Sequence, residues 1–225
     1  MKVQTILVSA ATAVTLGSAT QSCMAVATSS LGIAVIKQVL LGGITKGVHI
    51  FGNKNAFLQN DLIEKAIPEN LRSTYALLDK IAPNLTAQGK DYIAQAAAYT
   101  VNTAEPILKN AVNNLTAEDV AQIANGGSGA ATRLLKAKTA EQLITAIQPK
   151  VDEKLNEFGI VKSINMALQG NNVLGNLLGN QTNTPLQNHS LSRLASEQIV
   201  NGLFNIIEDH EKQNAAQLPA ILQNH

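Results

Sequence analysis

The stretch from Ala104 to Pro149 constrains the fold more than any other part of the chain, because it combines helix-start motifs with regular apolar spacing. In it, Thr116 is followed by Asp119, and Thr139 by Gln142. In such a capping box the Thr oxygen accepts a first-turn backbone N–H, while the acidic or amide side chain reaches back to the backbone of the Thr. We therefore predict helices that begin at Thr116 and at Thr139.

Two further features of this stretch indicate helices. Gly126-Gly127 ends the helix from Thr116, and Ser128 begins another that runs through Lys136. After Thr139, apolar residues recur at i,i+4 spacing, which predicts one buried stripe: Leu143, Ile147, Val151 and Leu155. Pro149 falls within this stripe, so we expect a kink or a break there.

The composition also favours helices over sheets. Ala, Leu and Ile are abundant, whereas aromatic residues make up 3% of the chain and Trp is absent. The chain has 225 residues, 45% of them apolar, which is enough to bury a core. These observations predict an all-α fold: a single multi-helix, bundle-like domain after an N-terminal signal segment.

The segment Ser30–Phe51 has two adjacent apolar rows and predicts a helix at the centre of the bundle. Its glycine pair, Gly42-Gly43, predicts either a bend or the close approach of a neighbour. A membrane-spanning interpretation is less favoured, because Lys37 and Lys46 interrupt the run of about 20 apolar residues that spanning requires.

Other segments complete the predicted bundle. Pro68 begins a helix that Pro83 stops, and the chain from Thr86 to Asn114 forms two helices or one helix kinked at Pro106. Residues 170–190 are rich in Asn and Gly and predict a mobile loop. A final amphipathic helix is expected from Leu191 to Gln213.

Residues 1–27 are predicted to be a signal peptide, because Lys2 precedes an apolar segment and then small residues. Cleavage before Cys23 would leave that cysteine to be lipidated, whereas Ala25-Val26-Ala27 predicts cleavage after Ala27. An uncleaved anchor is the third alternative. All three place the helical domain, residues 28–225, outside the cytoplasm: in the periplasm or lipid-anchored to the cell envelope. The single cysteine excludes an intrachain disulfide.

Several chemistries are disfavoured. A net charge of +1 gives no electrostatic basis for binding nucleic acid. The four histidines lie in unrelated segments and form no metal motif, so we expect no metal and no cofactor. No nucleophile motif of the G-x-S-x-G type is present, and we predict no catalytic residues.

One segment is a candidate for binding a small anion. Gly127, Ser128 and Gly129 precede a predicted helix that carries Arg133, and glycine amides at a helix start attract negative charge. The alternative is a tight corner between two helices, which we favour. Likewise, Glu118 with Asp119 is better explained as a charged first turn than as a catalytic carboxylate pair.

Several elements resemble a bacterial family known as domain of unknown function 4197. They are Ile67–Arg72, Glu105–Asn110, Leu115-Thr116 with Asp119, Gly126-Gly127, Ala130–Thr132, Thr139 with Leu143, Pro149, and Asn201–Phe204 with Glu211. The resemblance implies an exported, mostly helical domain and implies no activity. One segment and two single residues depart from the family pattern. The family's polar Asn-Arg-Ala-Ala-Glu element falls on residues 94–98 without its charges, Asn201 replaces an Asp, and Ala215 replaces an Arg.

We carry three hypotheses about function. The first is a non-enzymatic envelope protein that binds a protein partner or an apolar ligand. The second is a hydrolase or transferase with an unrecognised polar site, which would require five residues to meet: Arg72, Glu105, Asp119, Arg133 and Glu197. The third is a structural lipoprotein tethered to a membrane through Cys23. We also expect one or more of the three arginines, Arg72, Arg133 and Arg193, to form a partly buried ion pair, with Glu105 and Glu197 as candidate partners.

Overall fold

The structure is a computed structural model that describes residues 30–67, 83–157 and 188–214, together with residues 76, 79, 80 and 159. The predicted signal peptide and the predicted mobile loop up to residue 187 lie outside the described residues. So does nearly all of the helix predicted from Pro68. Within the described residues the chain is helical and contains no strand.

Seven helices have defined bounds. They are α1 Ser30–Phe51, α2 Lys54–Leu58, α3 Asp61–Glu64, α4 Pro83–Asn113, α5 Ala117–Asn125, α6 Ala130–Glu157 and α7 Asn188–Gln213. The prediction of an all-α, bundle-like domain is confirmed. The bounds of α1 agree with the predicted ones, whereas α7 begins at Asn188, inside the segment predicted to be a loop.

The core lies where α1, α4, α6 and α7 pack against one another. Ile36, Leu40 and Ile44 form the buried face of α1, and none of them is exposed. By length and composition alone α1 could cross a membrane. In this fold, however, its buried face contacts α4 and α7. Burial of each such side chain contributes about 1.5–3 kcal/mol.

Glycines allow α1 and α7 to approach closely. A Cβ atom added at Gly43 would lie 3.2 Å from the backbone Cα of Ile207, and one added at Gly47 would lie 2.5 Å from Leu203 Cδ1. The helix is continuous from Ser30 to Phe51. The close approach of a neighbour therefore explains the glycines of α1.

The helix α4 is a single element with Pro106 inside it. Of the two predicted alternatives, one helix and not two is therefore present. Its start differs from the prediction. Pro83 is its first residue, where the fixed φ of proline suits a helix and its missing N–H leaves no donor unpaired. Thr86 therefore lies within the first turn and is not the residue that starts the helix.

The prediction of a helix start at Thr139 is wrong. The helix α6 runs without interruption from Ala130 to Glu157, through both Thr139 and Pro149. The Thr139 hydroxyl is buried and donates a 2.7 Å hydrogen bond to the carbonyl of Leu135, one turn earlier. Continuous packing of one face, from Leu135 to Val151, outweighs the local signals to stop.

Candidate functional site

The N-terminus of α6 binds a carboxylate that belongs to the chain itself. Glu211, near the end of α7, accepts hydrogen bonds from the backbone N–H groups of Ala131 and Thr132, at 3.1 and 2.8 Å. The Thr132 hydroxyl donates a third hydrogen bond, at 2.6 Å, to the same carboxylate. The carboxylate thus satisfies two of the first-turn amides that a helix leaves without an intrahelical partner.

This contact is buried. Glu211 and Thr132 are each 2% exposed, and Ala131 is 1% exposed. Among the described residues no basic side chain forms an ion pair with Glu211. The positive end of the α6 dipole and the three donated hydrogen bonds compensate its charge instead. Hydrogen bonds to charged groups contribute about 1.5–3 kcal/mol each, so this contact is a principal link between α6 and α7.

The four residues of the predicted anion site come together next to this contact. Gly127 and Gly129 have positive φ angles of 69° and 77°, which only glycine adopts readily. Arg133 turns back onto the corner and donates hydrogen bonds to the carbonyls of Ser128 and Gly126, at 2.6 and 2.5 Å. The guanidinium thus holds the corner between α5 and α6.

The space around Gly129 is filled from both sides. A Cβ atom added there would lie 2.6 Å from Glu208 Oε1 and 3.0 Å from Arg133 Nη1. These contacts favour the tight-corner interpretation. Binding of a free anion at Gly127–Gly129 remains a prediction. Such an anion would compete with the nearby Glu211 carboxylate, which already accepts hydrogen bonds from the amides of Ala131 and Thr132.

A second buried acid caps α5. Asp119 and Thr116 form the predicted capping box: the Asp119 amide donates to the Thr116 hydroxyl at 3.2 Å, and the Thr116 amide donates to Asp119 Oδ2 at 2.9 Å. Lys138 Nζ lies 2.6 Å from Asp119 Oδ1. Burial alone would raise the pKa of Asp119. The hydrogen bonds from Lys138 and Thr116 outweigh burial and hold this pKa below its usual value.

A lysine binds the C-terminal end of a helix. Lys37 of α1 donates a 2.6 Å hydrogen bond from Nζ to the carbonyl of Asn113, the last residue of α4. A cation near a helix C-terminus is favourable because the carbonyl end of the dipole is negative. Charged side chains from other helices therefore hold the end of α4 as well as the starts of α5 and α6.

Ion pairs agree only partly with the sequence expectations. Arg193 Nε lies 2.9 Å from Oε1 of Glu197, one of the two candidate partners, and its Nη atoms contact Glu141 at 3.2 Å. All three side chains remain well exposed. Glu105 pairs with Lys109, one turn further along α4, and not with an arginine.

The residues that the enzyme hypothesis requires do not form a joint cluster. Arg72 lies outside the described residues. The other four each have a separate partner: Glu105 with Lys109, Asp119 with Lys138, Arg133 with carbonyls of its own corner, and Glu197 with Arg193. Among these four, no hydrogen bond or ion pair joins any two.

Among the described residues no group of three His, Cys, Asp or Glu side chains is placed to hold a metal ion. Of the four histidines, His49 lies exposed on α1 and His210 is partly buried on α7. The Cys23 lipidation site lies outside the described residues.

Sequence reasoning missed the role of Glu211, although a signal was available. Leu203, Ile207 and Glu211 lie at i,i+4 spacing, so the acid continues a buried apolar row. An acid in such a position needs hydrogen-bond donors from another element. The identity of those donors, 79 and 80 residues away, was not accessible without the tertiary structure.

Together the fold and this site define an all-helical bundle in which charged side chains from one helix hold the ends of others. The chain belongs to the family described as Protein of unknown function (DUF4197), whose model matches residues 27–218. No curated protein and no solved structure matches the chain.

Two of the sequence elements that resemble the family form the buried contact at Glu211. Ala130–Thr132 and Glu211, two of the elements that carry the resemblance, are the partners in the buried contact. Residues 94–98, which resemble the family's polar element without its charges, lie on α4. There Ala94 and Ala97 are completely buried in the core. Neutral packing thus occupies that position in this chain.

Proposed function

We propose that the protein is an exported helical protein of the bacterial cell envelope that acts by binding a protein partner or an apolar ligand. The apolar N-terminal segment is compatible with a signal sequence and with export. The observation that carries the proposal is that the family match begins at residue 27, where the predicted signal peptide ends. The residues before the matched region have the apolar composition of a signal peptide.

The charges of the described residues support binding over catalysis. Glu211, Asp119 and Arg133 all hold helix ends, and their hydrogen-bonding groups are engaged in doing so. A catalytic acid or base needs to reach a substrate, and a 2% exposed carboxylate does not.

Exposed apolar side chains offer contact points for a partner. Leu31, at the start of α1, is 73% exposed, and Tyr99 on α4 is 51% exposed. Leu58 and Leu194 are exposed to a smaller extent. Leu31 lies a few residues after Ala27. A partner or membrane near the processed N-terminus would therefore contact Leu31 before the other exposed apolar side chains.

Two of the three predicted processing alternatives involve cleavage of the signal segment. In one, Cys23 becomes the lipidated first residue and the domain is tethered to a membrane. In the other, cleavage after Ala27 releases a periplasmic protein. The alternative function is that of a hydrolase or transferase. It would require a cluster of polar side chains that includes Arg72.

The export proposal is tested by intact-mass spectrometry and fractionation of the wild type, Cys23→Ala and Ala27→Asp. Tethering predicts a lipid-bearing N-terminal Cys23 and a loss of membrane association in Cys23→Ala but not in Ala27→Asp. Release predicts a mature protein that begins at Thr28 and that only Ala27→Asp prevents. A cytoplasmic protein with an intact Met1 in all three variants contradicts export.

The binding proposal is tested by placing a photo-crosslinking amino acid at Leu31, at Tyr99 and at Gln122 in the exported protein. Gln122 is an exposed polar residue of α5 and serves as the control. A discrete adduct from an apolar position, identified by mass spectrometry and missing from Gln122, supports binding. Adducts that are equally frequent at all three positions, or that form at none, contradict it.

A further inference from the structure

The residue next to Glu211 in α7 contacts a different helix. His210 lies against Gly42 of α1, so closely that a Cβ atom added to Gly42 would be 2.6 Å from the imidazole Nε2. The glycine therefore makes room for the ring at the α1–α7 crossing. The end of α7 thus contacts α1 through His210 and α6 through Glu211.

Two charged groups act on the imidazole, Lys46 and Asp209, and they also pair with each other. Lys46 lies one turn beyond Gly42 on α1, and its Nζ is 3.1 Å from Asp209 Oδ2 and 3.4 Å from Gln213 Oε1. The Gln213 amide also donates to Asp209, at 2.7 Å. Within the described part of the chain, Lys46 from α1 and Asp209 from α7 are the charged groups that act on His210.

Glu208 and Lys212 complete the charges of this turn. They pair with each other at 2.7 Å, and Glu208 also lies beside Gly129 at the start of α6. From α6, the first-turn amides and the Thr132 hydroxyl bind Glu211, and the Arg133 guanidinium lies beside Gly129 together with Glu208.

The folded environment favours the neutral imidazole. Burial lowers the pKa of His210, and the positive charge of Lys46 lowers it further, while Asp209 opposes them in part. A protonated His210 would add a second cation near Lys46, whose carboxylate partner Asp209 also accepts a hydrogen bond from Gln213.

We propose that the end of α7, residues 208–213, is an acid-released latch, in which protonation of His210 loosens the contact with α1 and, through the adjacent Glu211, the cap on α6. Because His210 and Glu211 are consecutive, Glu211 can bind the α6 amides only while this turn of α7 stays packed against α1. Release uncovers the close contact of Ile207 with Gly43 on α1.

The sign of the effect follows from linkage. Because the folded state holds the pKa of His210 below its unfolded value near 6.5, the contribution to stability is complete above that pH. It is lost as the pH falls through the lower, folded value. Histidine is suited to such a switch because its charge changes in the mildly acidic range.

The test is hydrogen exchange at pH 7.5 and pH 5.0, corrected for intrinsic exchange rates, on the wild type, His210→Gln and His49→Gln. His49 is an exposed histidine of α1 and provides the matched control. In the wild type and His49→Gln we expect the amides of residues 208–213 and of the first turn of α6 to exchange roughly threefold to tenfold faster at the lower pH. His210→Gln should not show this acceleration.

Equal acceleration in His210→Gln overturns the latch, as does acceleration spread uniformly over all helices. An NMR titration of the His210 ring in the wild type keeps the proposal testable if the variant does not fold. Faster exchange at residues 208–213 should begin near pH 6.5 and level off around the midpoint of this titration, which reports the folded pKa. A ring that titrates while exchange stays constant contradicts the proposal.

Discussion

The hydroxyl of Thr132 donates a 2.6 Å hydrogen bond to the carboxylate of Glu211, although the two residues are 79 positions apart. Both are almost completely buried. The start of α6 therefore depends on a side chain from the end of α7, and this long-range contact takes the place of a local capping residue.

Removal of this carboxylate should destabilise the fold strongly. Glu211→Ala leaves two buried amides and a hydroxyl without their acceptor, and we expect a loss of about 3 kcal/mol in the free energy of unfolding. Thr132→Val removes one donor only and should cost about 1–2 kcal/mol. Urea denaturation measures both. Lys212→Ala, at the next residue but in an exposed ion pair, should change stability by less than about 1 kcal/mol. Equal stability of Glu211→Ala and the wild type would show that the contact does not hold the helices together.

The vacated helix start should accept a free anion. In Glu211→Ala, acetate can take the position of the missing carboxylate, because the α6 amides and dipole remain. We expect acetate to raise the melting temperature of this variant, with a stabilisation of about 0.8 kcal/mol at three times its dissociation constant. Chloride at equal ionic strength is the control, and the wild type should not respond to either. If acetate and chloride act alike on both proteins, the site has no specific affinity for a carboxylate.

The cap on α5 should show a defined dependence on pH. The pKa of Asp119 is lowered in the folded state, so its contribution to stability is present above the unfolded value, about 3.9, and is lost as the pH falls through the lower folded value. At pH 7 Asp119→Asn should therefore be less stable than the wild type by about 1 kcal/mol, and the difference should shrink towards pH 3. Thermal unfolding between pH 3 and pH 7 measures this difference. A difference that stays constant over this range would mean that the charge of Asp119 does not stabilise the cap.

The close contact between α1 and α7 should not tolerate a methyl group. Gly43→Ala brings a Cβ atom to 3.2 Å from backbone atoms of Ile207, so the helices must move apart, at a cost of about 1–3 kcal/mol. Gly89→Ala on α4 is the matched control, because nothing lies within 4 Å of its added Cβ. That variant should gain about 0.5–1 kcal/mol, since alanine is the better helix former. Chemical denaturation of the pair gives the comparison. If both substitutions stabilise the protein, the helix crossing is not held by Gly43.

The local features of the fold could be predicted from the sequence. The apolar rows of α1 defined its bounds, and the Thr116–Asp119 capping box marked the start of α5. Gly126 and Gly127 were placed correctly at the end of α5. All of these depend on residues within about one helical turn of each other, where backbone geometry and hydrogen bonding decide the outcome.

Signals of the same local kind failed where packing opposed them. Thr139 resembles the start of a helix as closely as Thr116 does, yet it lies in the middle of α6. Pro106 and Pro149 lie within continuous helices. The loss of one backbone hydrogen bond at each proline is outweighed by apolar side chains buried on both sides of it, such as Leu108 and Ile147.

By itself, the sequence therefore determined the helical class, the family and the helix ends with nearby caps. Only the tertiary structure decided which charges meet. Glu211 accepts hydrogen bonds at the start of α6, and Lys37 donates one to the end of α4. Arg133 donates to the Gly126 carbonyl at the corner between α5 and α6. The physical reason is that helix ends carry backbone groups without intrahelical partners, and side chains distant in sequence reach them only after the helices have packed; for the buried Glu211 carboxylate such donors are also required.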